Sequence, residues 1–295
     1  RDFCLSRGLG DVYKRQTLEF TKMQGCGNDY VYVNGFTEKL SPEEKPEIVR
    51  SLSDRHFGIG GDGVIFINPA EEADFEMEMY NADGSRSEMC GNGIRCVAKH
   101  LYDYAIARSE EMRINTLGGM KGIRVKVDEG EVTEATVDMG APRLDCHDIP
   151  VKCDGKFIDG TIDVGGVKVQ GTAVSMGNPH FIIFQPLTDA QVRELGPAIE
   201  AHPMFPKKTN VEFVRAEDGI LNTAVFERGA GWTLACGTGA CATAVAAGLK
   251  GISPLGEDVK VRLPGGDLTI NVKKDLSTVH MSGPAVRVFQ GEIDW

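Results

Sequence analysis

Apolar and polar residues alternate in "TLEFTKMQG" (17–25) and "DYVYVNG" (29–35), on either side of a Gly-Asn turn, and predict a pair of strands. Ser41-Pro42-Glu43-Glu44 reads as a helix start, with a capping Ser, Pro in the first turn and acids against the macrodipole. That helix runs to about Ser53. "GVIFIN" and "FEMEMYN" predict strands. "GNGIRCVAKHLYDYA" (91–105) has a helical apolar face at Ile94, Val97, Ala98 and Leu101, and "MRINTLGG", "GIRVKVDEG" and "VTEATVDMG" follow as short strands with turns containing Gly.

After "GAPRLDCHDIP" the order of elements starts again. Strands at about 157–170 lead to "GNPHFIIF" (177–184) and a helix in "TDAQVRELGPAIEAH" (188–202). "TNVEFVRAE" and "LNTAVFERG" are strands, "GTGACATAVAAGLKG" (237–251) is an Ala-rich helix closed by Gly, and "DVKVRLPGGDLTINV" is a hairpin around Pro-Gly-Gly. Short motifs also recur at a nearly constant offset. "GNDYVYV" is echoed by "GNPHFII", and Tyr80-Asn81 leads to Cys90 as Phe226-Glu227 leads to Cys236. Gly-Asn pairs recur by chance in a chain with 36 glycines, but echoes in the same order favour duplication. The chain therefore reads as an α+β protein of two similar halves, each many-stranded with one well-buried helix, and a cleft between them brings the two cysteines face to face. The halves are placed at 17–138, joined by a final strand over 284–295, and at 139–283.

Residues 1–16, "RDFCLSRGLGDVYKRQ", follow neither period and are set apart as a non-native or disordered leader. The rest has the composition of a soluble globular protein, 41% hydrophobic and 25% charged, with no apolar run of membrane-spanning length. A net charge of −11 argues against a general nucleic-acid or anionic-membrane binder, which needs a basic face, yet permits a small anionic substrate. Eight cysteines in a chain this long do not make a disulfide scaffold, and no secretory pattern is present. The expectation is a cytoplasmic protein with reduced thiols.

Cys90 and Cys236 each precede Gly-x-Gly at a helix start. Glycine lets the backbone approach a ligand, and the first free N–H groups form an anion site with the positive end of the dipole behind it. The same field favours a thiolate over a thiol. A carboxylate held there places its Cα near both sulfurs, so that one thiolate removes the α-proton while a thiol on the opposite face returns one. Plainer readings compete. A single Cys in a Gly-rich turn is more often structural, and Cys96 and Cys241, one turn into their helices, read as core. Zinc would use Cys90 with Cys96 and Cys236 with Cys241, but the unequal gaps spoil a shared site, and "CHDIPVKC" (146–153) is a linker without matching partners. No metal is expected. "GIGGDG" (58–63) lacks the strand–helix context of a dinucleotide loop, no phosphate loop is present and no Lys stands out for pyridoxal chemistry, so no cofactor is expected either.

Taken together, "KMQGCGNDYV", "HFGIGGDG", "YNADGSRSEMCGNGIRC", "SMGNPHFI", "FERGAGWTLACGTGACA" and "LPGGDLTI" resemble the diaminopimelate epimerase family, from about Leu18 to the C-terminus. The resemblance implies cofactor-independent interconversion of LL- and meso-2,6-diaminopimelate, on the path to lysine and peptidoglycan. It also implies two pseudo-symmetric domains, each a set of strands rolled around a central helix, with the site between them. Cys90 and Cys236 then resemble the two acid/base thiols, and Gly91-Asn92 and Gly237-Thr238 the backbone donors to the reacting carboxylate. Asn28, Asn81, Asn178, Asn210 and Arg228 resemble the groups that hold the substrate, largely its distal end, while His180 and Glu227 resemble the pair assisting near the reacting centre. The chemistry agrees, because a second ammonium and carboxylate call for acceptors, Asn amides and a bidentate Arg. One position departs: many relatives carry Gln where this chain has Gly63, so no side-chain ligand is expected there. The last strand, "AVRVFQGEI", resembles a segment that pairs subunits in some members, which implies a homodimer.

Three other functions fit part of the pattern. A proline or hydroxyproline racemase usually has His after the first Cys-Gly, where this chain has Asn92, and lacks "NADGS". An isomerase of the same fold acting on an unsaturated tricarboxylate is a second rival. The third is a non-catalytic amino-acid binder, which needs neither thiol.

Overall fold

The computed structural model describes residues 17–295, so the leader expected over 1–16 lies outside the described residues. The first half runs β1 (Thr17–Gly25), β2 (Asn28–Asn34), α1 (Lys45–Ser53), β3 (Gly63–Asn68), β4 (Phe75–Asn81), β5 (Arg86–Ser87), α2 (Gly91–Asp103), β6 (Glu111–Asn115), β7 (Lys121–Asp128) and β8 (Glu131–Asp138). The second runs β9 (Gly160–Val164), β10 (Val167–Ser175), β11 (Pro179–Ile183), α3 (Asp189–Glu200), β12 (Asn210–Glu217), β13 (Ile220–Glu227), β14 (Gly231–Thr233), α4 (Gly237–Leu249), β15 (Asp258–Leu263), β16 (Gly266–Val272) and β17 (Val279–Gly283). β18 (Val286–Asp294) then returns to pair with β1.

Strand pairing repeats between the halves. The first ladder is β1-β2-β3-β4-β6-β7-β8, with β2–β3 and β4–β6 parallel. The second is β10-β11-β12-β13-β15-β16-β17, with β11–β12 and β13–β15 parallel. β8 and β17 pair antiparallel and join the ladders, while β18 and β9 extend their outer ends at β1 and β10. The protein is thus an α+β fold of two pseudo-symmetric domains, each a sheet rolled around one helix.

The helices explain which strands read as continuously apolar. α2 and α4 lie inside the rolled sheets, and α1 and α3 cover them from outside. Along β2, Val31 and Val33 pack with Ile48, Val49 and Leu52 of α1, while Tyr30 and Tyr32 pack on the α2 side with Ile94 and Val97. β11 does the same, with Phe181 and Ile183 against Leu195 and Ile199 of α3 and Ile182 in the core that holds α4. Strands buried on both faces lose the alternation that β7 and β15 keep. α4 is apolar all round because it is enclosed by strands, and its small residues let them approach closely. No helix among the described residues is long and apolar enough to cross a membrane.

Two expectations need correction. α1 begins at Lys45, with Pro46 in its first turn, and not at Ser41-Pro42. The Ser41 hydroxyl and N–H both donate to the Glu44 carboxylate at 2.7 and 2.9 Å, so Ser41 closes a local turn instead of capping the helix. The expectation of uniformly reduced thiols fails for Cys146 and Cys153, which form a disulfide with their Cα atoms 5.8 Å apart. The chain between them folds back, with Ile149 N–H on the Asp145 carbonyl and Val151 N–H on the Cys146 carbonyl, and this brings the sulfurs within bonding range.

Candidate active site

Cys90 and Cys236 occupy the N-cap positions of α2 and α4, with nearly identical backbones (φ −126°, ψ 120° and φ −123°, ψ 110°). Each sulfur accepts the N–H three residues on, from Gly93 at 3.3 Å and Gly239 at 3.4 Å, in the place that Ser or Asp oxygen usually fills. Both glycines pack tightly, since an added Cβ would come 2.7 Å from Ile65 Cδ1 at Gly93 and 2.7 Å from Glu212 Oε1 at Gly239, so either side chain would have to shift. The two helix starts meet end to end. A Cβ on Gly237 would stand 3.7 Å from Gly91 Cα, and Met281 of β17 packs against both glycines. First-turn N–H groups of both helices, including those of Gly91-Asn92 and Gly237-Thr238, therefore lie close together with positive dipole ends on two sides.

The Cys90 side is polar, and its nearest hydrogen-bond chain ends on the Asp62 carboxylate. Its thiol donates to Asn28 Oδ1 at 3.1 Å, and Asn28 Nδ2 donates to Asp62 Oδ2 at 2.6 Å, which fixes the amide's orientation. Arg55 spans Asp62 and Asp29 behind it. Burial pushes the Cys90 thiol up, against a downward pull from the Gly93 and Asn92 amides and the Arg95 guanidinium. The helix field acts as the sequence implies, but burial outweighs it.

The Cys236 side carries the titratable groups. His180 is fully buried, with Nδ1 2.7 Å from Glu212 Oε1 and Nε2 3.0 Å from Asn178 Oδ1. Thr233 Oγ1 donates to Glu227 at 2.5 Å, and Thr238 Oγ1 lies 3.4 Å from the Cys236 sulfur. Burial holds the Cys236 thiol well above its ordinary range, and the Glu227 and Glu212 carboxylates add to the shift. Burial also raises the Glu227 carboxyl, opposed by the Thr233 hydrogen bond and His180. The repeat makes the contrast concrete. Tyr30, Ile65 and Asn81 of the first half stand where His180, Glu212 and Glu227 stand in the second.

The remaining residues sit around this centre in different states. Asn81 ends β4 with its amide on Ser85 Oγ at 3.0 Å, one residue before the Ala82 N–H that bonds the Asp62 carbonyl. Asn210 acts as scaffold: Nδ2 donates to the Pro179 carbonyl at 2.8 Å, and Oδ1 accepts the Arg228 N–H at 2.9 Å. Arg228 is exposed, with Nη1 on the Lys207 carbonyl at 3.2 Å. Gly63 faces Asn81 across β3–β4, and a Cβ there would strike the Tyr80 carbonyl at 2.0 Å. Glutamine at that position therefore requires a different strand path. Glu212 and Arg95 escaped the sequence reading. Each is a charged residue inside an apolar element, "NVEFV" and "GIRCVA", and that interruption was the available signal.

This duplicated α+β fold carries a cysteine at each of two opposed helix starts. The fold is shared with a hydroxyproline epimerase from Agrobacterium vitis (TM-score 0.66, 16% identity, covering 95% of this chain and 92% of that one). It is shared as well with a phenazine biosynthesis protein of the PhzF family from Bacillus anthracis (TM-score 0.69, 16% identity, 94% and 99%). Identity that low speaks to the fold alone. A family profile described as diaminopimelate epimerase matches residues 20–144 and 172–288. Relatives from Desulfovibrio desulfuricans and Acetivibrio thermocellus, both named diaminopimelate epimerase, are 49% and 46% identical over 93% and 94% of this chain and 98% and 99% of their own lengths. The chain belongs to the diaminopimelate epimerase family, a family of isomerases.

Proposed function

We propose that this protein interconverts LL- and meso-2,6-diaminopimelate with Cys90 and Cys236 as the two acid/base groups and without a cofactor. The observation that carries the reading is the end-to-end meeting of two helix starts, each capped by a cysteine. The reacting carboxylate sits on the amides of Gly91-Asn92 and Gly237-Thr238, and its Cα lies between the sulfurs. One thiolate takes the α-proton: the C–H bond breaks, an S–H bond forms, and the electron pair moves into the carboxylate, where the amides meet the growing charge. The opposite thiol then gives its proton to the other face and is left as thiolate. His180, Glu212 and Glu227 hold or move the proton on the Cys236 side. Asn28, Asn81, Asn178 and Arg228 receive the distal amino acid end, with Asn210 placing Arg228.

Domain bounds of 17–138 with 284–295, and 139–283, follow the strand ladders and belong to the same reading. So do a cytoplasmic location and a homodimer built on β18, whose Val286, Val288 and Phe289 are exposed. The test is proton NMR of LL-diaminopimelate in D2O, with proline as control. Loss of the α-proton signal and appearance of meso product are expected with diaminopimelate and not with proline. Efficient exchange of proline would assign the protein to the racemases instead, and no exchange of either would leave a binder.

A further inference from the structure

Arg95 is fully buried, and no carboxylate among the described residues is within ion-pair distance of it. Its side chain runs back along α2 toward the helix start. Nη1 donates to the Gly91 carbonyl at 3.1 Å, Nη2 to Asn92 Oδ1 at 2.9 Å, and Nε to the Pro284 carbonyl at 3.2 Å. Two glycines make the room: a Cβ on Gly25 would come 3.1 Å from Nη2, and one on Gly283 would come 3.2 Å from Cζ. A buried guanidinium satisfied only by neutral acceptors is costly, and an anion nearby relieves that cost. The equivalent position in α4 is Cys241, uncharged and fully buried.

The Gly91 carbonyl and the Asn92 N–H are two ends of one peptide group. A cation on the carbonyl polarises the N–H, since hydrogen bonds in series strengthen one another. We infer that Arg95 is a positioning residue that grips and polarises the Gly91–Asn92 peptide, making Asn92 N–H the stronger helix-start donor to the substrate's reacting carboxylate. The inference rests on the two-thiol epimerase reading for its consequence, while the polarised peptide stands on geometry alone. The carboxylate gains charge as the α-proton leaves, so this donor matters more in the transition state than in the bound substrate. The two ends of the site are thereby unequal: Arg95 bonds a carbonyl in the first turn of α2, and the equivalent position of α4 is an uncharged cysteine.

The test combines kinetics with an amide signature in protein labelled with ¹⁵N-asparagine, where Asn178 and Asn210 serve as internal references. In Arg95→Met the Asn92 amide proton is expected to move upfield, with Asn178 and Asn210 unmoved. Its kcat should fall roughly tenfold or more at nearly native KM. Arg95→Lys, which keeps charge but cannot span both acceptors, should lie between native and Arg95→Met in both readouts. If Arg95→Met does not fold, the Arg95→Lys displacement decides alone. An unmoved Asn92 amide, or a loss confined to KM or to the folded fraction, overturns the inference. A native protein that leaves diaminopimelate unexchanged overturns the functional reading, and the amide displacement still decides whether Arg95 polarises the peptide.

Discussion

Cys90 and Cys236 share a backbone geometry but not an environment, and their replacement tests the chemistry most directly. Cys90→Ala and Cys236→Ala should each abolish epimerisation while far-UV circular dichroism and Tm stay near native, because the reaction needs a base on one face and an acid on the other. Near-normal turnover in either variant rules out the two-thiol mechanism. Cys96 and Cys241 are fully buried, so alanine there should cost about 1 kcal/mol of packing with turnover retained. Among the described residues the Arg228 side chain reaches only the Lys207 carbonyl, which leaves its planar fork for a carboxylate. Arg228→Lys should lower kcat/KM for diaminopimelate by roughly tenfold or more, the loss of one charge-assisted contact. An unchanged kcat/KM removes Arg228 from the site.

At the level of the element, α2 carries a cysteine at its start and a titratable histidine near its end. His100 lies buried in its last turn, against Tyr104 with ring centroids 4.4 Å apart, and its Nδ1 has no partner among the described residues. Burial pulls its pKa down from 6.5 to about 4. A histidine depressed in the folded state contributes stability above its unfolded pKa, and that contribution disappears as pH falls toward the folded value, because the unfolded chain takes up the proton first. Tm should therefore decline between about pH 6.5 and pH 4. The decline should be shallower in His100→Leu, which fills the site without titrating. Parallel Tm profiles for the two proteins would show that His100 does not set the acid limit. The helix starts illustrate the opposite relation between local signal and structure. Cys-Gly-x-Gly is legible at both, whereas Ser41-Pro42 offers a persuasive cap that Glu44 diverts into a turn.

On the scale of the whole molecule, β8–β17 pairing makes one continuous ladder of two repeats, and β18 returns the C-terminus to β1. β18 leaves Val286, Val288 and Phe289 exposed, at 41%, 55% and 46%, beside an open sheet edge. Such an apolar row is suited to a second copy of the same strand. Sedimentation velocity should find the native protein dimeric and Val288→Lys shifted toward monomer. A native monomer at micromolar concentration would remove β18 as a subunit interface.

The sequence by itself determined the order of elements, the internal repeat, the two cysteines at helix starts and the family motifs around them. Each is encoded locally, as a period of two or near 3.6, a Gly-x-Gly turn or a short motif. Only the tertiary structure decided that Glu212 lies against His180, that Arg95 bonds the Gly91 carbonyl, that Asn210 is engaged as scaffold and that Cys146 meets Cys153. A charged residue in an apolar strand or helix shows in the sequence as an exception, but its partner lies wherever the rolled sheet brings another polar group. That placement depends on how the two ladders close around α2 and α4, and no periodicity records it.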